Sequence, residues 1–147
     1  MSSKIPQIDL IDLTKLDFNK FDGFAVPVGQ KEEKSFLNNQ AFIKALAKAF
    51  PIDLNSELKK WPDFLGKSGE IIEIPIVTEK EKRVRIFLVG TGEGKREDLK
   101  KAAVAVARKV KGNGQNVALA IVNEMAYVAN VVMALLLASF VWNKKTP

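Results

Sequence analysis

Arg83-Val84-Arg85-Ile86-Phe87-Leu88-Val89-Gly90-Thr91-Gly92-Glu93-Gly94-Lys95-Arg96-Glu97-Asp98-Leu99 is the stretch on which the fold turns. The unbroken apolar run Ile86–Val89 has no polar alternation, so it predicts a strand covered on both faces. Three glycines then lead out of the strand into a helix predicted over Arg96–Val110. Leu99, Ala102, Ala103, Val106 and Val110 form the buried stripe of that helix. Glu97 and Asp98 lie in its first turn, and Arg108, Lys109 and Lys111 in or just past its last, the order that the helix dipole favours. Gly112 and Gly114 stop it.

Downstream, Val117–Val122 reads as a second all-apolar strand and Glu124–Trp142 as a last helix. Strand, helix, strand, helix from Val84 onward predicts an α/β fold containing a parallel pair. Upstream, Glu70–Thr78 is rich in β-branched residues and reads as a strand. The polar turn Glu79–Lys82 joins it to Arg83–Val89 as a hairpin. Asn38–Phe50 carries one apolar stripe and predicts a helix ended by Pro51. Leu54–Trp61 predicts a shorter one closed by Pro62. Gly23–Val28 reads as a short strand whose pairing Pro27 limits, Gln30–Lys34 as a charged loop, and Ile5–Leu13 as a first strand.

Composition narrows the chemistry. The 147 residues suit one domain. They contain neither cysteine nor histidine. That removes disulfides, thiolate nucleophiles, histidine bases and the usual zinc cages, and disfavours metal chemistry, although carboxylates could still hold a hard cation. The net charge of +6 is unevenly placed: residues 79–111 hold 11 Lys/Arg against 5 Asp/Glu, and the rest holds 12 of each. This basic third is either the solvated face of one strand and one helix or a contact for nucleic acid. Phe87 is its only aromatic, so no base-stacking platform is evident.

The Gly90–Lys95 loop has the composition of an anion site, because glycine turns expose backbone N–H groups at a helix N-terminus. Gly90, Gly92, Gly94 and Lys95 are its candidate residues. It fits neither standard phosphate template. A Walker loop ending at Gly94-Lys95 needs glycine at Val89 and Ser/Thr at Arg96, and G-x-G-x-x-G needs glycine at Lys95. A tight strand-to-helix connection explains the same glycines. The carboxylate pairs Glu32-Glu33 and Glu97-Asp98 read as solvated, and the second is a poor acid/base site because neighbours on a helix do not face each other. Trp61 and Trp142 read as packing anchors. The predicted last helix is apolar on nearly every side, so it must be buried all round. Val132, Leu136, Phe140 and Trp142 are therefore candidate interface residues toward another domain, another subunit or a lipid face. The uncharged stretch Met125–Trp142 touches the lower bound for a membrane span. It reads instead as a core helix, and the N-terminus Met1-Ser2-Ser3-Lys4 shows no apolar signal core.

In order, Phe-Leu-Val-Gly at 87–90, a Gly-Lys loop, Asp-Leu-Lys-Lys-Ala-Ala at 98–103, Val-Ala-Leu-Ala-Ile at 117–121 and Ala-Leu-Leu-Leu-Ala-Ser-Phe at 134–140 resemble the N-terminal domain of leucyl (cytosol) aminopeptidases. Ala25-Val26-Pro27-Val28 and Ser68-Gly69-Glu70 fit as well. The resemblance implies a macro-domain-like, three-layer α/β fold, a mixed sheet with helices on both faces, over residues 1–142. Residues 143–147 would begin a linker to a catalytic domain. It further implies a non-catalytic assembly or regulatory role in a cytoplasmic, hexameric metallo-aminopeptidase whose catalytic domain holds two divalent metals. The family's catalytic signature Asn-Thr-Asp-Ala-Glu-Gly-Arg is missing from this chain, so no catalytic or metal residue carries over. Val132, Met133 and Val141 replace family positions that are Glu-Gly and basic. The alternative is a stand-alone macro-like module that binds a nucleotide or other anion at 90–95, or nucleic acid through 79–111.

Overall fold

The computed structural model describes residues 16–78, 80–110 and 116–120. Five strands form one mixed sheet: β1 (Gly23–Lys31), β2 (Lys34–Leu37), β3 (Ile71–Val77), β4 (Arg83–Gly92) and β5 (Val117–Leu119). Three helices accompany it: α1 (Gln40–Ala49), α2 (Leu54–Lys59) and α3 (Arg96–Val110). The order is β2-β1-β4-β3, with β5 also on β1. The predicted hairpin is present, with β3 antiparallel to β4 from Ile71↔Val89 to Val77↔Arg83.

β1 is the hub. Parallel β4 takes one of its edges from Gly23↔Arg85 to Gly29↔Gly92. The other edge is divided: β5 runs parallel beside Gly23–Ala25, and β2 runs antiparallel beside Val28–Lys31. Pro27 sits at the handover. The Ala25 carbonyl accepts from Ala120 N at 3.1 Å and the Pro27 carbonyl from Asn38 N at 3.0 Å, so odd residues of β1 face the divided edge. The N–H that Pro27 lacks would point into the gap between β5 and β2. No hydrogen bond to β4 is lost, which is how a proline stands in a central strand.

Phe24, Ala25 and Val26 are each fully buried, as a strand covered on both faces requires. On one face Phe24, Val26, Val28, Ile86 and Leu88 pack against Phe42, Ile43 and Leu46 of α1, with Phe50, Leu54 and Phe64. Phe18 stacks on Phe24 at 5.3 Å, and Phe24 meets Phe50 at 5.5 Å. Such contacts add about 1 kcal/mol each to burial. On the other face Ala25, Phe87 and Val89 pack against Leu99, Ala102, Ala103, Val106 and Ala107 of α3. The expected three-layer α/β arrangement, with helices on both faces, is thus present. Asn39 joins its layers. Its Oδ1 accepts from Phe42 N at 3.3 Å to cap α1, and its Nδ2 donates to the Ala120 carbonyl at 3.2 Å, tying α1 to the end of β5.

Two readings are corrected. Residues 30–34 are a tight hairpin, not a loop: Lys31 pairs with Lys34 across Glu32 and Glu33, whose φ angles are 52° and 64°. Positive φ at both central residues makes a type I′-like turn, whose twist suits the strands. Glutamates give no hint of it in sequence. In addition, β4 continues through Gly90 to Gly92, so the first two glycines belong to the strand. The predicted strand Ile5–Leu13, the predicted helix Glu124–Trp142 and the end of Val117–Val122 lie outside the described residues. Among the described residues no helix is long and apolar enough to cross a membrane.

The backbone at 66–70 crosses the carboxyl end of β4. Gly69 N donates to the Gly90 carbonyl at 3.0 Å, and Gly92 N to the Gly66 carbonyl at 2.8 Å. A Cβ on Gly90 would run into the Lys67 carbonyl oxygen and come within 2.8 Å of the Gly66 carbonyl carbon. Gly90→Ala should therefore destabilise the protein by about 3 kcal/mol in urea unfolding, through overpacking against backbone. In contrast, Glu32→Asn with Glu33→Gly should stabilise it by about 1 kcal/mol by relieving the left-handed strain, seen as a higher midpoint with unchanged slope.

Candidate functional site

The carboxyl ends of β1 and β4 lie side by side, where open α/β sheets usually bind ligands. Gly90, Gly92, Gly94 and Lys95 are distributed along this end rather than gathered around one point. Gly90 is covered by the 66–70 backbone, with its N–H donating to the Glu70 carbonyl at 2.6 Å. Gly94 N donates to the Thr91 carbonyl at 2.8 Å, and buried Thr91 donates its hydroxyl to the Val28 carbonyl at 3.4 Å. Lys95 N donates to Asp98 Oδ2 at 3.1 Å. The amides at 90, 92, 94 and 95 are thus all engaged within the chain. The anion at the α3 N-terminus is the protein's own Asp98 carboxylate, which also lies beside Gly92.

Lys95 Nζ pairs with Glu93 Oε2 at 3.1 Å, both side chains being about three-quarters exposed. Hydrogen bonding to Glu93, and then its charge, raises the Lys95 pKa above the ordinary lysine value. The pair is solvent-screened and adds little to stability. Gly92, Glu93 and Gly94 do help to line a shallow recess of about 250 Å³ with Gln30, Lys31, Phe36 and Asn38. Phe36 stays half-exposed there because Gly29 leaves room for its ring: a Cβ on Gly29 would fall inside it. Sequence reading missed Phe36, since its exposure depends on the hairpin. The recess carries Lys31 and Glu93 and thus no strong charge of either sign.

The carboxylate pairs behave as isolated groups. Glu97 reaches Lys100 at 3.4 Å while Asp98 turns back to Lys95 N, so the two do not share a proton or a cation. Glu32 and Glu33 are exposed at the hairpin tip. Trp61, 44% exposed, borders a second recess with Leu58, Pro62, Phe64 and Leu65. Among the described residues no three acidic side chains come together as a metal site. Val132, Leu136, Phe140 and Trp142 lie outside the described residues.

Part of the basic third lies at the opposite end of the sheet. Arg85 Nη2 reaches Glu73 Oε1 at 2.7 Å and the Lys109 carbonyl at 3.2 Å, and its guanidinium lies over Phe87 at 4.9 Å. The Arg85 hydrogen bond is the main reason that the Glu73 carboxyl is held below its ordinary pKa. Lys82 Nζ caps the carbonyls of Asn19 and Phe21, at 2.7 and 3.0 Å, beside Asp22. These contacts fasten the ends of β4 and α3 to their neighbours.

A family model, the N-terminal domain of the cytosol aminopeptidase family, matches residues 25–146, a span that includes most of β1, the strand-glycine-helix unit and β5. The chain belongs to that family. No curated protein matches it closely enough to count as a relative. The resemblance seen in residues 25–28, 68–70 and 87–140 is therefore a family relation, and the glycines of this aminopeptidase N-terminal domain are explained by its own packing.

Asp98 at the third helical position bonds back to Lys95 N, which is half of a capping box; Lys95 lacks the short acceptor that would complete it. Lys95→Ser should supply that acceptor and stabilise the domain by about 0.5–1 kcal/mol in thermal unfolding. If Lys95 serves chiefly to hold an anion, the same change would instead abolish stabilisation by millimolar phosphate.

Proposed function

We propose that this chain is a non-catalytic assembly or regulatory domain of a metallo-aminopeptidase that removes N-terminal residues from peptides in the cytoplasm. The observation that carries the reading is the match to the family's N-terminal domain over residues 25–146. The family's catalytic signature Asn-Thr-Asp-Ala-Glu-Gly-Arg is missing from these 147 residues, which agrees with it. The site geometry supports it too. Where a sheet of this kind would hold a substrate, the 66–70 backbone and the Asp98 carboxylate already satisfy the loop. On this reading the chemistry, with its two divalent metals, belongs to a catalytic domain, and the N-terminal domain works within a homo-oligomer.

Purified chain supplied with Mn²⁺ or Zn²⁺ should not turn over a leucyl chromogenic substrate. Chelator-sensitive turnover by the chain alone would overturn the non-catalytic assignment. An antibody to the chain tests the assembly role on native protein from source cells. Leucyl-hydrolysing activity should co-purify with a species several times larger than 16.3 kDa. An inactive species of that mass alone would refute the assembly role.

A further inference from the structure

Folding gathers much of the basic excess of residues 79–111 at one end of the domain. The glycine end, residues 93–98, holds Lys95 and Arg96 against Glu93, Glu97 and Asp98, a net of −1. Among the described residues the opposite end holds Lys80, Lys82, Arg83, Arg85, Arg108 and Lys109 against Asp22, Glu73 and Glu81, a net of +3. The fold brings these two segments together: the β3–β4 turn closes through Thr78 N to the Lys82 carbonyl at 2.9 Å, and Arg85 bonds the Lys109 carbonyl at the end of α3. Lys82 and Arg85 are occupied with Asp22 and Glu73. Lys80, Arg83, Arg108 and Lys109 are exposed, and their side chains make no ion pair among the described residues.

We propose that this end is a contact surface for the phosphodiester backbone of a nucleic acid, bound without sequence preference. Protein interfaces draw their energy from buried aromatic and aliphatic anchors, and Val77 is the one exposed large apolar residue beside Arg83. Backbone contacts need cations alone and gain from counterion release. Phe87 is fully buried beneath Arg85 and cannot stack on a base, so base identity goes unread. The surface faces away from the glycine loop and is independent of the aminopeptidase assignment.

Fluorescence anisotropy of the whole chain with a labelled DNA duplex, titrated at rising KCl, tests the proposal. If the four exposed cations each neutralise one phosphate, log K falls with log salt at a slope of about −3.6, so affinity drops roughly 100-fold between 50 and 200 mM. Arg83→Glu with Arg108→Glu should remove binding. Lys44→Glu with Lys48→Glu, the same charge change on the exposed side of α1, should leave it within about threefold. Circular dichroism checks that both variants fold, and the milder Arg83→Gln with Arg108→Gln should lower the slope by about two. No binding at 50 mM KCl, equal loss in the two reversal variants, or binding to phosphatidylserine vesicles but not to the duplex would each overturn the proposal.

Discussion

Everything in this domain depends on β1 being enclosed on four sides. Phe24, Ala25 and Val26 have no exposed surface, so the strand needs a layer above and below, and both edges need hydrogen-bond partners. β4 completes one edge. β5 and β2 share the other, one covering its first half and one its second. Pro27 marks where the sharing changes hands. A parallel partner and an antiparallel one can meet on one edge because the proline has no N–H to leave unpaired between them. Asn39 then closes the seam, one side chain serving as helix cap and as donor to Ala120.

The same demand explains the glycines. The 66–70 segment must cross the end of the sheet to start β3, and its carbonyls pass directly over Gly90. Any side chain there would separate two backbones that exchange hydrogen bonds with each other. A Cβ on Gly66, at φ 81°, would likewise come within 2.6 Å of the Gly29 carbonyl oxygen. A glycine-rich strand end in an α/β protein is usually associated with a ligand's close approach. In this protein the backbone itself makes the approach, and the helix dipole beyond it is met by Asp98.

Periodicity made the elements with strong one-sided or two-sided burial legible. α1 and α3 bury most of the stripes their spacing implied, although Ala49 is exposed and Val110 only partly buried, and Ile86–Val89 is the central strand its unbroken apolarity required. What stayed hidden was set by contacts distant in sequence. The β2 hairpin runs Lys-Ser-Phe-Leu after two glutamates, with neither an Asn-Gly turn nor a long apolar alternation, and forms because β1 offers an open half-edge. The extension of β4 through Gly92 depends on the crossing 66–70 backbone, which no local signal announces. For the candidate site, the residue types were legible but their employment was not. Lys95 and Asp98 suggest anion chemistry by composition, while their geometry is that of a helix cap and a surface ion pair.

The two ends of the parallel pair are thereby given different work. At the carboxyl end of β4, amides, carboxylates and Lys95 satisfy one another, leaving a recess with little net charge. At the amino end, Glu73 and Asp22 form ion pairs with the two cations nearest the sheet, Arg85 and Lys82, and help to hold the β3–β4 turn against the end of α3, while Lys109 acts on Glu73 through its charge alone. The remaining cations are spread around that fastening point and are not needed to hold it. Removing them would cost the fold little, because exposed, unpaired charges contribute almost nothing to stability and repel one another. The exposed cations Lys80, Arg83, Arg108 and Lys109, gathered at one end where packing makes no use of their charge, leave it available for something outside the domain.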